Sequence, residues 1–190
     1  MNANSVAVAA ASAPATMVEK PQVGALCWRS HGAGVQILLI TSRETGRWVI
    51  PKGGIIAGKD AAASARQEAW EEAGVEGHVS ADAMLGCFDY DKLDRKRQQA
   101  RRCRVEVFPL KVDRLVAKFP EKGERRRKWF KLSRAAIEVQ EPDLRRLLLD
   151  LDLDPTPLVR PSAAPATDAP ALKSARTLPT SKGSDGSGDR

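Results

Sequence analysis

The stretch Pro51–Val75, PKGGIIAGKDAAASARQEAWEEAGV, decides the fold. Residues Asp60 to Ala73 are rich in Ala and Glu, with an Asp suited to cap the first turn and Gly74 placed to stop the last. This predicts a helix. On it Glu68, Glu71 and Glu72 stand at i, i+3 and i+4, so their carboxylates share one face. Like charges at that spacing destabilise a helix by ~0.2–0.5 kcal/mol per pair. A divalent cation reverses the sign of that local effect, and Mg²⁺ favours a few carboxylates completed by water and phosphate oxygens. The alternative is a solvated Glu-rich helix with no ligand. The preceding loop and the Gly74 stop weigh against it. Ala61, Ala65, Ala69 and Ala73 form a stripe of small side chains that lets the helix pack closely. Gly53 and Gly54 leave room upstream for backbone to approach a metal or a phosphate.

The flanks read as mixed strands and helices. Val23–Trp28 and Val35–Thr41 suit two strands joined by a Gly-containing turn, and Trp48–Ile50 is a short apolar run ending at Pro51. Met84–Tyr90 suits another strand. Cys103, Val105 and Val107 alternate with Arg104 and Glu106, the period of a half-buried strand. Trp129–Leu132 suits a last strand, and Ser133 opens a short helical stretch. Pro142 sits at the first turn of a final helix, whose Leu144, Leu147, Leu148 and Leu151 recur at helical spacing.

Composition bounds the rest. The chain has 190 residues, and 31 Lys+Arg against 24 Asp+Glu give a net charge of +7. That length suits one domain. All nine aromatic residues lie between Trp28 and Phe130, which centres the core there. Residues 1–17 are uncharged and Ala/Ser-rich and lack the basic and strongly apolar regions of a secretory signal. Residues 154–190 hold six of the twelve prolines and no aromatic residue. Both read as disordered tails around a domain at 18–153. No uncharged apolar run reaches the ~18–20 residues of a membrane span. Three widely spaced cysteines and two histidines, His31 and His78, argue against a disulfide framework and a zinc cage. Any metal is expected to be a hard ion held by oxygen, and the protein is expected to be cytoplasmic.

The quoted stretch resembles the box of the Nudix hydrolase family, G-x5-E-x7-R-E-U-x-E-E-x-G-U, where U is a bulky aliphatic residue. Gly53, Glu68, Glu71, Glu72, Gly74 and Val75 match in register, and Ala69 takes the first U position. The resemblance extends over roughly residues 20–150. It implies an α/β (α+β) fold, the Nudix α/β/α sandwich with a mixed sheet. It also implies an Mg²⁺-dependent hydrolase, with Mn²⁺ as a substitute, in which water attacks a phosphorus of a diphosphate linkage. Carried over, Glu68, Glu71 and Glu72 would be catalytic and hold the metal, and Gly53 would offer its carbonyl to the same ion. The flanks PQVGALCWR, TSRETGRWVIPKGG and RRRKWFKLSRA are similar to enzymes acting on diphosphoinositol polyphosphates and diadenosine polyphosphates. On that likeness Arg43, Arg47, Lys52 and Gly54 are substrate-binding candidates. Glu106, Glu121 and Glu124 are candidates for a further carboxylate outside the box.

Two positions depart from the family pattern. Lys59 stands where the family has Glu, and Gln67 where it has Arg. These normally pair and brace the loop–helix junction, so the expectation is intact metal carboxylates with one brace missing. Residues 92–104 and 122–131 are strongly basic, as a solvated face or as a rim steering a polyanion. A small polyphosphorylated substrate fits best, with an RNA 5′ end as the alternative partner. A non-hydrolytic binding module is the competing class, permitted by Lys59 and Gln67. Trp28, Trp48 and Trp129 are expected to pack rather than stack a base.

Overall fold

The computed structural model describes residues 21–79, 83–94 and 99–159. Strand β1, Gln22–His31, alternates in a way that fixes the layers. Val23, Ala25 and Cys27 point to one apolar cluster, and Leu26 and Trp28 to another on the opposite side. The same split occurs in β2, Gly34–Thr41: Leu38 and Ile40 face one way, Ile37 and Leu39 the other. Strands with apolar residues on both faces must be covered on both faces.

Helix α1, Ala61–Ala73, covers the first face. Its Ala62, Ala65, Ala69 and Ala73 pack on Val23, Ala25, Phe108 and Leu110. Helices α2, Leu132–Glu138, and α3, Pro142–Leu153, cover the second with Leu132, Ala135, Leu144, Leu148 and Leu151. This is the α/β/α sandwich expected.

The remaining strands are β3, Trp48–Val49; β4, Lys52–Gly54; β5, Val75–Val79; β6, Gly86–Asp94; β7, Gln99–Leu115; and β8, Arg127–Lys131. They form one eight-stranded sheet with the path β3-β2-β1-β7-β5. β4 pairs with β1, β6 with β7, and β8 with β2. β1 and β7 run parallel and the other strand pairs are antiparallel, so the sheet is mixed.

The fold continues past Leu153 as a short helix α4, Thr156–Val159. That lies inside the stretch whose composition suggested a tail. Leu158 is buried in the α3 core, and one apolar anchor suffices to extend the ordered chain. The reading of residues 1–17, and of the rest of 154–190, as tails falls outside the described residues. Among the described residues, no helix is long and apolar enough to cross a membrane.

Candidate active site

The site begins where β4 leads into α1. Asp60 caps the helix by accepting the Ala63 N–H at 2.6 Å. The fully buried Ser64 hydroxyl donates to the Asp60 carbonyl at 2.8 Å and accepts the Ile56 N–H at 3.1 Å, tying the loop back to the helix. At the far end Gly74 adopts φ 60°, the left-handed conformation that ends a helix at little cost for glycine. The connection from β7 to β8 is sewn to this end. Val116 N–H donates to the Gly74 carbonyl at 2.8 Å, and Glu121 N–H to the Glu71 carbonyl at 3.0 Å. Arg127 donates to the Ala73 carbonyl at 2.5 Å.

These ties place the glutamates. Glu72 is buried; one carboxylate oxygen accepts the Lys52 N–H at 2.9 Å and the other pairs with the Arg125 guanidinium. Arg125, only 7% exposed, also donates to Glu121 at 2.9 Å and to the Thr41 carbonyl at 3.3 Å. Glu68 is half-buried against Gly53, so close that a β-carbon there would lie 2.0 Å from its Oε1. Burial, then the charges of Glu72, Glu71 and Glu121, push the Glu68 carboxyl up to about 7, against a smaller opposing effect of Lys52. Burial also raises Glu72, opposed by Arg125 and the Lys52 N–H.

Glu71 stands one step back and is not part of the cleft wall. Its Oε1 accepts the Gln67 amide at 2.7 Å, and the Gln67 carbonyl accepts the Lys59 ammonium at 3.0 Å. The expectation of a missing brace is therefore corrected. The two departures from the family pattern meet each other: a cation has moved to the loop and a neutral amide relays it to Glu71.

Glu68, Glu72, Gly53, Gly54, Arg43, Arg47 and Lys52 all line one cleft of about 580 Å³. Arg43 is exposed and pairs with Glu124 at 3.2 Å and Glu121 at 3.5 Å. Arg47 pairs with the buried Glu141. Lys52 lies 4.2 Å from the centre of the Tyr90 ring, and burial lowers its pKa. Of the three carboxylates weighed outside the box, Glu121 lines the cleft, whereas Glu106 and Glu124 do not.

Sequence reasoning missed Arg125 and Tyr90. Arg125 is hidden in a run of cations, and nothing local marks it as the buried one. Tyr90, whose hydroxyl donates to Gln22 at 2.8 Å, is the cleft's aromatic among the described residues. The tryptophans do pack: Trp28 in the core, Trp48 edge-on to Phe130 at 5.2 Å, and Trp129 beneath Arg29. His31 is exposed and His78 pairs with Asp113; neither lines the cleft.

The basic runs divide. Arg125 and Arg127 turn inward, Arg102 pairs with Asp89, and Lys92 lines the cleft. Arg95, Lys96 and Arg97 lie outside the described residues.

The family model described as NUDIX domain matches residues 18–151. The chain belongs to the NUDIX family. It is 31% identical over 151 residues to mouse (Mus musculus) diphosphoinositol polyphosphate phosphohydrolase 3-alpha, covering 77% of this chain and 87% of that one. The human (Homo sapiens) 3-beta protein is 30% identical over 152 residues, covering 78% and 87%. Among solved structures, a C. elegans Ap4A hydrolase binary complex aligns with TM-score 0.55 and 19% identity, over 71% of this chain and 96% of that one. The E. coli dihydroneopterin triphosphate pyrophosphohydrolase aligns with TM-score 0.53 and 15% identity, over 70% and 94%. The Nudix fold is shared with both, and the chain is a Nudix hydrolase related to the diphosphoinositol polyphosphate phosphohydrolases.

Family membership implies a divalent ion, and the residues fit one. The donors are hard oxygens, Gly53 brings bare backbone against Glu68, and the charges of Glu72, Glu71 and Glu121 together with burial outweigh Lys52 at Glu68. Among the described residues no three acidic side chains converge as a ready-made cage; Glu72 is engaged by Arg125 and Glu71 by Gln67.

Proposed function

We propose that this protein hydrolyses diphosphate linkages in small, heavily phosphorylated substrates, dinucleoside polyphosphates or diphosphoinositol polyphosphates, with Mg²⁺ as the working ion. The observation that carries the reading is Glu68 against Gly53 and Glu72 on the Lys52 N–H, lining one cleft of mixed charge. Arg43, Arg47, Lys52, Lys92 and Arg125 stand there against Glu44, Glu68, Glu72, Asp91 and Glu121, so the cleft's charges cancel. A polyphosphate therefore gains most when divalent charge is added. When bound, the ion supplies Lewis-acid polarisation of a phosphoryl oxygen and lowers the pKa of water.

Glu68, Glu71 and Glu72, with the Gly53 carbonyl, would hold it. The Glu68 carboxyl, poised near neutrality, is suited to take a proton from the attacking water. Lys52, Arg43 and Arg47 are placed to orient phosphates, with Gly54 leaving space beside them. The catalytic unit is proposed as residues 18–153 extended by α4. The cysteines Cys27, Cys87 and Cys103 are thiols rather than disulfides, which suits a reducing compartment such as the cytoplasm. The Lys59–Gln67–Glu71 chain favours catalysis over a binding-only module, since it keeps Glu71 fixed.

The test is a panel of dinucleoside polyphosphates, diphosphoinositol polyphosphates and 5′-triphosphorylated RNA, with and without Mg²⁺, reading phosphate release beside calorimetric binding. Mg²⁺-dependent release from a small substrate is expected. Binding without turnover across the panel would replace the enzyme by the binding module, and preference for the RNA would move the substrate class.

A further inference from the structure

We propose that Glu141 is a positioning residue, which holds the Arg47 guanidinium in place for the phosphates of the substrate. The inference rests on the reading of Arg47 as a phosphate contact and names what fixes it. Arg47 closes a tight turn: its carbonyl accepts the Ser42 N–H at 2.8 Å, and the Ser42 carbonyl accepts the Gly46 N–H at 3.0 Å. Its side chain, 19% exposed, crosses to Glu141 in the turn between α2 and α3 and pairs with it through Nη1. Among the described residues the other N–H groups of this guanidinium take no hydrogen-bond partner, and Arg47 lines the cleft.

Three observations separate this contact from an ordinary ion pair. First, the turn that carries Glu141 is tied down. Val139 bridges to Trp48, the residue after Arg47, and the Arg145 side chain donates to the Ala136 and Val139 carbonyls, each at 3.1 Å. Second, Glu141 is buried, its Oε2 has no hydrogen-bond partner among the described residues, and it stands at the start of α3 without a side-chain capping bond. A buried carboxylate with an unsatisfied oxygen costs stability, so neither capping nor stability accounts for it. Third, Arg47 also borders a neighbouring hollow, together with Asp89, Asp91 and Asp143. Those carboxylates would compete for a loose guanidinium. A fixed partner prevents that, and a side chain already set loses less freedom when a phosphate binds.

The test is steady-state turnover of diadenosine tetraphosphate with saturating Mg²⁺ by the full-length wild type, Glu141→Ala, Arg47→Ala and the double variant. Glu141→Ala is expected to raise KM about tenfold with kcat within about twofold of wild type, and to add nothing to Arg47→Ala. Effects on KM that add across the two positions, or an unchanged KM in folded Glu141→Ala, overturn the proposal alone. Should Glu141→Ala fail to fold, Glu141→Gln decides by the same cycle, with a rise of about threefold expected for the lost charge. An unchanged KM in Arg47→Ala removes the phosphate role of Arg47, and this proposal with it. Binding without turnover by the wild type removes the hydrolase reading for this substrate; the cycle is then read in the calorimetric Kd by the same criteria. No binding overturns both.

Discussion

Glu68 is the residue on which pH acts most directly. Its carboxyl is raised to about 7 by burial and three neighbouring carboxylates, so the metal-free native state holds a proton that the unfolded chain releases near the ordinary carboxylate value. Native protein then binds more protons between those two values, and stability falls as pH rises through that window. We expect the unfolding midpoint of chelator-treated protein to drop between about pH 5 and pH 7, and excess Mg²⁺ to flatten the drop. Metal uptake should release a proton and tighten with pH up to neutrality, which calorimetry in buffers of different ionisation heat will report. Replacement of the buried Glu72 is the companion experiment. On the proposed metal reading, Glu72→Gln removes a charge that holds Arg125 and would hold the metal, and turnover should fall by about 10²–10³-fold, several kcal/mol of lost transition-state stabilisation. These carboxylates were legible in the sequence because one helical turn brings them together. Arg125 was not, because its partners are 53 and 4 residues away and its neighbours Arg126 and Arg127 carry the same charge.

Helix α1 and its two connections form the element that makes the site. Asp60, Gly74 and the alanine stripe could be read directly, since capping and close packing are local properties of a helix. β4 and β5 could not: Lys-Gly-Gly and Val-Glu-Gly-His-Val have weak strand propensity and are strands only because β1 and β7 offer free edges. β7 is longer than its Val105–Val107 alternation suggested and carries Pro109 opposite Leu26 in the parallel pairing. The Lys59–Gln67 contact was likewise hidden, because an exchange of charge across two positions looks like two losses in a one-dimensional motif. It makes a sharp test. Lys59→Glu sets a carboxylate beside the Gln67 carbonyl, and Gln67→Arg sets a second cation beside Lys59. The double variant restores an ion pair, so it should exceed the sum of the single effects by about 0.5 kcal/mol or more, in activity or in denaturation. Gly74→Ala should cost about 1–2 kcal/mol for the left-handed backbone. The added methyl would also meet Phe119 at 2.5 Å, loosening the connection that brings Glu121 to Glu71.

The two apolar clusters on opposite faces of the sheet divide the labour of the molecule. The α3 side holds Leu144, Leu148 and Leu151 far from the carboxylates, while the α1 side carries the site. Leu148→Ala should cost about 2–5 kcal/mol of stability. Below its lowered melting temperature it should leave Mn²⁺ binding unchanged, since the glutamates lie on α1 and only Tyr90 of the cleft packs against that cluster. The two strands β1 and β2 were legible as apolar runs and the sandwich through the resemblance carried by Pro51–Val75; its far edge at α4 was not, because a single leucine among prolines gives no periodic signal.

The hydrogen bonds from residues 116–121 to the end of α1 have a practical corollary. A synthetic peptide copying Pro51–Val75 would reproduce every letter of the motif and still lack Glu121, Arg125 and β1, the strand against which Gly53 pairs. Recovery of ion uptake during refolding would therefore clock the docking of the two halves of the chain, and not the earlier winding of the helix.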